Sequence, residues 1–314
     1  MILQLSFLRA IVRRFAQRRI IRATPTSASS NMPHRLVVLG LGFVIATSGV
    51  LRAQWLNYPT PGIPRSAEGK PDLKAPIPKT ADGKPDLSGI WMVECGAPEG
   101  GCFDRSLFFD LAKGLPPSDV EMTPWAAAIQ QQRESRAGVD DPAGYCHAIG
   151  YPRMAMVNPF KILQTPHVTV FLHETPVPGP TFRQVLTDGR PLPADPEPTW
   201  MGYSIGAWNG ETFVVDTTGF RDKGWLDTRK GRPHSDALHL TERFQRVDFG
   251  HLQWEIRIDD PKAFRRPWVQ RAVLTLVPDT ELLQGFCENH EKTMEHRRID
   301  VAPPEPASPP PERR

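Results

Sequence analysis

Cysteine is scarce, at four residues in 314, and no two stand at Cys-x-x-Cys spacing, so the usual frame of a structural zinc site is missing. There is no Gly-x-Ser-x-Gly elbow, no His-Glu-x-x-His or His-x-x-Glu-His pattern, and no glycine-rich phosphate loop between a strand and a helix. Elbow-type hydrolases, zinc peptidases and nucleotide-dependent enzymes need those spacings to place a nucleophile, a metal or a phosphate, and all three classes are disfavoured. No metal and no cofactor is expected. Lysine, aspartate and glutamate are absent from residues 1–53, which hold eight arginines. The apolar run at 36–50 is shorter than the roughly 20 residues that cross a bilayer as a helix, so no lasting membrane span is expected.

That end of the chain carries the pattern of export instead. Met32-Pro-His-Arg, an apolar stretch, and Leu51-Arg52-Ala53-Gln54 read as a secretory signal peptide over 32–53, cut after Ala53, inside a presequence of 1–53. A twin-arginine signal at Arg13-Arg14 or Arg18-Arg19 competes with this, but no apolar run directly follows either pair. Losing the eight arginines turns the formal net charge of +3 into −5. A nucleic-acid partner, which needs a lasting basic face, is therefore not expected. The expected location is periplasmic or secreted, and there four cysteines read as two disulfides. Cys95 and Cys102 flank a glycine-rich loop and would close it, leaving Cys146 to Cys287; the other two pairings remain formally open.

About 260 mature residues follow. Residues 54–88 are proline-rich and repeat Gly-Lys-Pro-Asp-Leu at 69–73 and 83–87, which favours an extended arm and excludes a helix. The arm either straps the domain surface or docks an envelope partner. A first strand is predicted at 87–93 and one helix at 123–137, with Thr123 as N-cap, Pro124 at the first helical position and Gly138 as the stop. Further strands are predicted at 160–165, 167–174, 181–187, 200–208, 211–217, 238–247, 251–259, 270–277 and 281–286. Asn209-Gly210 reads as a two-residue hairpin loop that sets Gly202, Ser204 and Gly206 opposite Thr217, Val215 and Phe213. Eight or nine short antiparallel strands over 89–300 predict a mainly β domain, an up-and-down barrel or strongly curled sheet, with a two-sheet sandwich as the alternative. A barrel of about eight strands can enclose one small ligand. Residues 301–314 are proline-rich and expected to be disordered.

Several phrases carry a resemblance: NYPTPGIPR (57–65), DGKPDLSGIW (82–91), the long run from 182 to 220, HSDALHLTERF (234–244) and DDPKAFRRPW (259–268). Together they resemble a widespread family of exported bacterial proteins of unassigned function. The Gly-x-Trp, Val-Val-x-Thr and Thr-Glu-Arg-Phe rhythm is also similar to lipocalin-type (calycin) barrels, although this chain lacks the helix that usually follows a lipocalin's last strand. The first resemblance implies export and supplies no catalytic set; the second implies a ligand-holding barrel.

Residues 238–259 hold the sharpest pattern. Strict alternation on both sides of Asp248-Phe249-Gly250 predicts a hairpin with Val247 against His251, Phe244 against Trp254, Glu242 against Ile256 and Leu240 against Ile258. Glu242 alone breaks the apolar face. Desolvation disfavours a charge there, the property needed by a general acid or a ligand hydrogen-bonder. The structural alternative is a carboxylate neutralised by Arg183 or Arg271. Just upstream, His234 could shuttle a proton with Asp236 orienting it, or simply cap a turn. His239 and Glu242 point to opposite faces, so they cannot share a metal. Arg183 is a candidate rim cation or Glu242 partner, and Trp200, Tyr203, Trp208, Trp225 and Trp254 are candidate pocket walls. The first expectation is therefore a barrel holding one small apolar or aromatic molecule. A cofactor-free acid–base enzyme (hydrolase, lyase or isomerase) and an envelope structural protein are the alternatives.

Overall fold

The computed structural model describes residues 58–94, 109–175 and 181–283. Among them nine strands alternate buried and less buried residues: β1 (Gly89–Val93), β2 (Phe160–Gln164), β3 (Val168–His173), β4 (Phe182–Leu186), β5 (Tyr203–Asn209), β6 (Thr212–Thr218), β7 (His239–Arg246), β8 (His251–Asp259) and β9 (Trp268–Leu276). They pair in chain order, and β9 returns to β1, so the sheet closes into a barrel. Closure excludes the sandwich and leaves no open sheet edge among these strands. Inward residues such as Trp91, Phe160, Phe171, Phe213, Phe244, Trp254 and Leu274 pack into one apolar core.

The β7–β8 register is the one the alternation demands: Phe244 faces Trp254, Glu242 faces Ile256, Leu240 faces Ile258, and the Val247 N–H donates to the His251 carbonyl. Three features of the sheet differ from expectation. β4 and β5 run parallel, joined only at Val185–Ser204 and Leu186–Ile205. Their connection, 187–202, carries prolines 191, 193, 196 and 198, and is long enough to return the chain to the same end, which a parallel pair requires. The β5–β6 loop is Gly210-Glu211, with Asn209 opposite Thr212, so Gly206 faces Val215 and Ser204 faces Thr217. Gly210 supplies the positive φ, 63°, at the first central position, where a II′-type turn takes glycine. The strand expected at 281–286 does not form over 281–283. Asp279 turns there at φ 57° and accepts hydrogen bonds from the Thr60 N–H and from Arg65, directing the chain to the arm.

The two ends of the barrel are closed differently. At the β7–β8 turn the arm folds the repeated phrase into the same loop twice. Ser66 N–H donates to Lys70 O and Asp72 N–H to Pro64 O; Thr80 N–H donates to Lys84 O and Asp86 N–H to Pro78 O. Backbone bonds from Phe249 to Ala75 and from Gly250 to Leu73 fasten it to the turn. At the other end, residues 109–157 contact the β8–β9 turn through Thr123 to Ala263 and Arg265 to Glu121. This segment includes α1 (Pro124–Ser135), where the Thr123 hydroxyl accepts from Ala126 N–H at 3.3 Å, and a short helix the sequence reading missed, α2 (Arg153–Val157).

Candidate functional site

Glu242 sits at the middle of β7 with no exposure, and Arg183 on β4 is 1% exposed. An Arg183 Nη2–H donates to Glu242 Oε2 at 2.5 Å. Trp254 Nε1–H donates to Oε1 at 3.1 Å, and the Tyr151 hydroxyl donates to the same oxygen. Arg183 also donates to Ser204 Oγ at 3.0 Å and Thr217 Oγ1 at 2.6 Å, and those hydroxyls lie 3.0 Å apart. The Arg183 guanidinium carbon stands 4.0 Å from the Tyr151 ring centre and 5.6 Å from that of Phe171. Trp254 stacks on Phe244 at 5.8 Å, 10° from parallel. One carboxylate thus fixes a cation, a phenol and an indole inside the aromatic core.

Burial and charge set the protonation of this cluster. Desolvation, reinforced by Glu242, holds the Tyr151 hydroxyl well above its ordinary value, so it remains a donor. Desolvation pulls Arg183 down, but Glu242 and Tyr151 outweigh it and the guanidinium stays charged. His173, on the inward face of β3 and 4% exposed, is pushed down to about 3 by desolvation and then by the charge of Arg183. It is neutral at physiological pH. Its ring lies 6.0 Å from Tyr151 and 5.6 Å from Phe160. Both His173 ring nitrogens and Arg183 Nη1 are buried without a hydrogen-bond partner. A neutral imidazole carries one donor and one acceptor and Nη1 carries two N–H groups, so the cluster retains three N–H donors and one acceptor.

The structure gathers some of the sequence-predicted residues and separates others. Glu242, Arg183 and Trp254 meet; Arg271 instead pairs with Glu255 at 2.7 Å on the outer side. Trp200 supports the cluster through its backbone, its carbonyl accepting from Tyr151 N–H at 3.0 Å, while its ring faces Arg221 at 5.9 Å. Tyr203 lies on the face of β5 opposite Ser204, and its hydroxyl accepts from Arg190 at 3.4 Å. Trp208 packs on Phe213 at 5.2 Å, and Trp225 under Arg133 at 4.4 Å.

The expected His234–Asp236 pair is not assembled. His234 is buried, Nδ1–H donates to the Ser235 carbonyl at 3.1 Å, and desolvation lowers its proton affinity. Asp236 points to solvent and pairs with Lys262 at 2.9 Å. The buried acid of this loop is Asp260, which accepts from Ser235 N–H at 2.6 Å and Ser235 Oγ–H at 2.7 Å. It fixes the loop, and among the described residues no carboxylate hydrogen-bonds the imidazole. Cys146 is buried, at φ 55°; Cys95, Cys102 and Cys287 lie outside the described residues. Among the described residues no three His, Cys, Asp or Glu side chains are grouped to hold a metal, and no helix is long and apolar enough to cross a membrane.

Tyr151, His173, Ser204 and Thr217 were not singled out as site residues. His173 and Ser204 had a signal, since each is a polar residue at an inward phase of its strand. Tyr151 stands in Gly-Tyr-Pro-Arg, where no periodicity exists to point it inward. Comparison with protein-family models, curated proteins and solved structures finds no match for this chain.

Proposed function

We propose that the barrel binds one small, largely apolar molecule whose polar end meets Arg183 and His173. One observation carries the reading: three buried nitrogen atoms, Arg183 Nη1 and both ring nitrogens of His173, have no partner in a cluster otherwise saturated. A buried polar group left unpaired costs about 1–3 kcal/mol, and a hydroxyl or carbonyl on a guest relieves that penalty where an apolar residue cannot. Glu242 then acts as the anchor of the cation rather than touching the guest. Phe160, Phe171 and Tyr151 supply the apolar wall. The same reading takes the chain as exported to the periplasm or beyond, with its cysteines oxidised, and as a member of the exported family it resembles. Among the described residues of the arm, Leu87 is buried in the barrel core and Leu73 lies over Gly250, which supports the arm as a strap on its own barrel.

The test is native mass spectrometry of the protein purified from its own host, alongside His173→Phe. A co-purifying small molecule, lost in His173→Phe while the melting temperature holds or rises, is the expected result. Host-purified protein of bare mass, with an experimental density map showing only water at His173, overturns the proposal.

A further inference from the structure

The chain turns two nearly fully buried arginines into its barrel, and only one is matched by a carboxylate. Arg183 has Glu242. Arg246, at the arm end of β7 and 3% exposed, has no carboxylate: Nε–H donates to Asp248 O at 3.3 Å and Phe249 O at 3.2 Å, the terminal nitrogens donate to the carbonyls of Asp86 and Phe249, and the guanidinium carbon stands 5.0 Å from the ring centres of Trp91 and Phe249. A guanidinium has five N–H groups, so one on each terminal nitrogen is unused. Arg246 forms no ion pair among the described residues. The Asp248 carboxylate, the nearest in sequence, is engaged by His251 at 2.6 Å and Lys74 at 3.4 Å. Desolvation lowers Arg246 to about 10, so it remains cationic at neutral pH.

Arg246 borders a cavity of about 330 Å³ between arm and barrel, at the small end of the roughly 300–1,000 Å³ typical of ligand sites. Lys161 lines the same cavity, and its ammonium has no hydrogen bond or ion pair among the described residues. Asp86 is the one acid in the lining, and its carboxylate accepts from Ser88 N–H at 2.8 Å. Two cations against one acid leave the site one positive charge in excess. The rest of the wall is largely apolar, with Ile63 and Pro78 from the arm and Ile90, Phe249 and Leu276 from the barrel.

We propose that this cavity is a second binding site, for a small organic monocarboxylate held by Arg246 and Lys161 with its apolar body against Ile63 and Phe249. A planar carboxylate suits the two free N–H groups of a guanidinium. Asp86 sets the specificity: it repels a second negative charge, so a dianion such as phosphate is excluded, and the apolar wall selects a hydrocarbon body. This site is separate from the one near Arg183 and does not depend on it. Because arm and barrel each supply part of the wall, occupancy also holds the arm in place.

Isothermal titration of the full chain with benzoate and hexanoate, their neutral amides and inorganic phosphate tests the proposal. Saturable binding of the carboxylates is expected, with amides and phosphate at least about tenfold weaker. Arg246→Gln loosens the arm and is a poor probe. Lys161→Met removes no hydrogen bond or ion pair seen among the described residues, so it should weaken benzoate about tenfold at unchanged melting temperature. In His173→Phe benzoate affinity should be unchanged, which separates this cavity from the interior. No saturable binding, equal binding of amide or phosphate, or loss of benzoate binding in His173→Phe each overturns the assignment.

Discussion

Glu242 and Arg183 bury two opposite charges in an aromatic interior, an arrangement that is a weak source of stability. Removing two charges from water costs several kcal/mol per ion, and a well-packed apolar pair of equal volume is often as stable or more so. The hydroxyls of Tyr151, Ser204 and Thr217 and the indole of Trp254 add charge-assisted bonds that settle the geometry. Such a cluster makes more sense as a preset polar surface than as a stabilising device. His173 gives the same interior a pH dependence. Its folded value of about 3 lies below the roughly 6.5 of an unfolded histidine. The unfolded chain takes up the proton first, so stability is complete above about pH 6.5 and falls as pH drops, by about 1.4 kcal/mol per unit per histidine. His234, also lowered, adds to the same slope. Urea denaturation at intervals from pH 4.5 to 7 should show His173→Phe losing stability less steeply than the parent. An unchanged slope would mean that His173 is not buried as a neutral ring.

At the level of strands, what could be read in advance depended on how many independent constraints each element carried. The β7–β8 hairpin was legible because a one-residue slip would have placed polar residues against apolar ones at every pair, and Arg183 was legible because it shares a phase with Val185. The β5–β6 turn misled by two residues of register: Asn209-Gly210 is a strong loop signal, but a glycine at the first central position serves a II′ turn equally well. Nothing local announced the parallel β4–β5 pair, which rests on two residue pairs and a proline-rich return. Gly206 sits where these elements meet. A Cβ there would fall 2.6 Å from Phe213 Cζ and 2.7 Å from Val185 Cγ1, with both neighbours buried at 1% and 0% exposure. Gly206→Ala should therefore destabilise by about 1–3 kcal/mol as an overpacked site does, visible as a lower denaturation midpoint at unchanged m-value. A neutral result would show that β5 can bow outward, and that its contact with β4 is loose.

Over the whole molecule, the repeated Gly-Lys-Pro-Asp-Leu phrase does a job that neither copy could do alone. Each copy makes one tight loop, closed by its glycine at φ 79° (Gly69) or 80° (Gly83), and ends by capping the next turn with its aspartate: Asp72 to Lys74 N–H at 3.0 Å, Asp86 to Ser88 N–H at 2.8 Å. Each then lays a leucine at the barrel end. The two leucines are not equivalent. Leu87 is fully buried in the core and its carbonyl accepts from Trp91 Nε1–H at 2.9 Å, whereas Leu73 is only partly buried, seated over Gly250. The second copy therefore belongs to the barrel's own folding unit, and the first is a clasp laid over it, tied at its far side by Arg65 to Asp279. Leu87→Ala should cost about 2–5 kcal/mol of global stability, the range for a fully buried leucine. Leu73→Ala should cost clearly less globally, yet speed hydrogen exchange at the Phe249 and Gly250 amides, which donate to the Ala75 and Leu73 carbonyls at 2.9 and 2.8 Å. Opening of the clasp would then be a local event of low free energy. Equal global losses in the two variants, with no selective change at Phe249 and Gly250, would instead make arm and barrel one cooperative unit, and a cavity walled by both would open only when the protein unfolds.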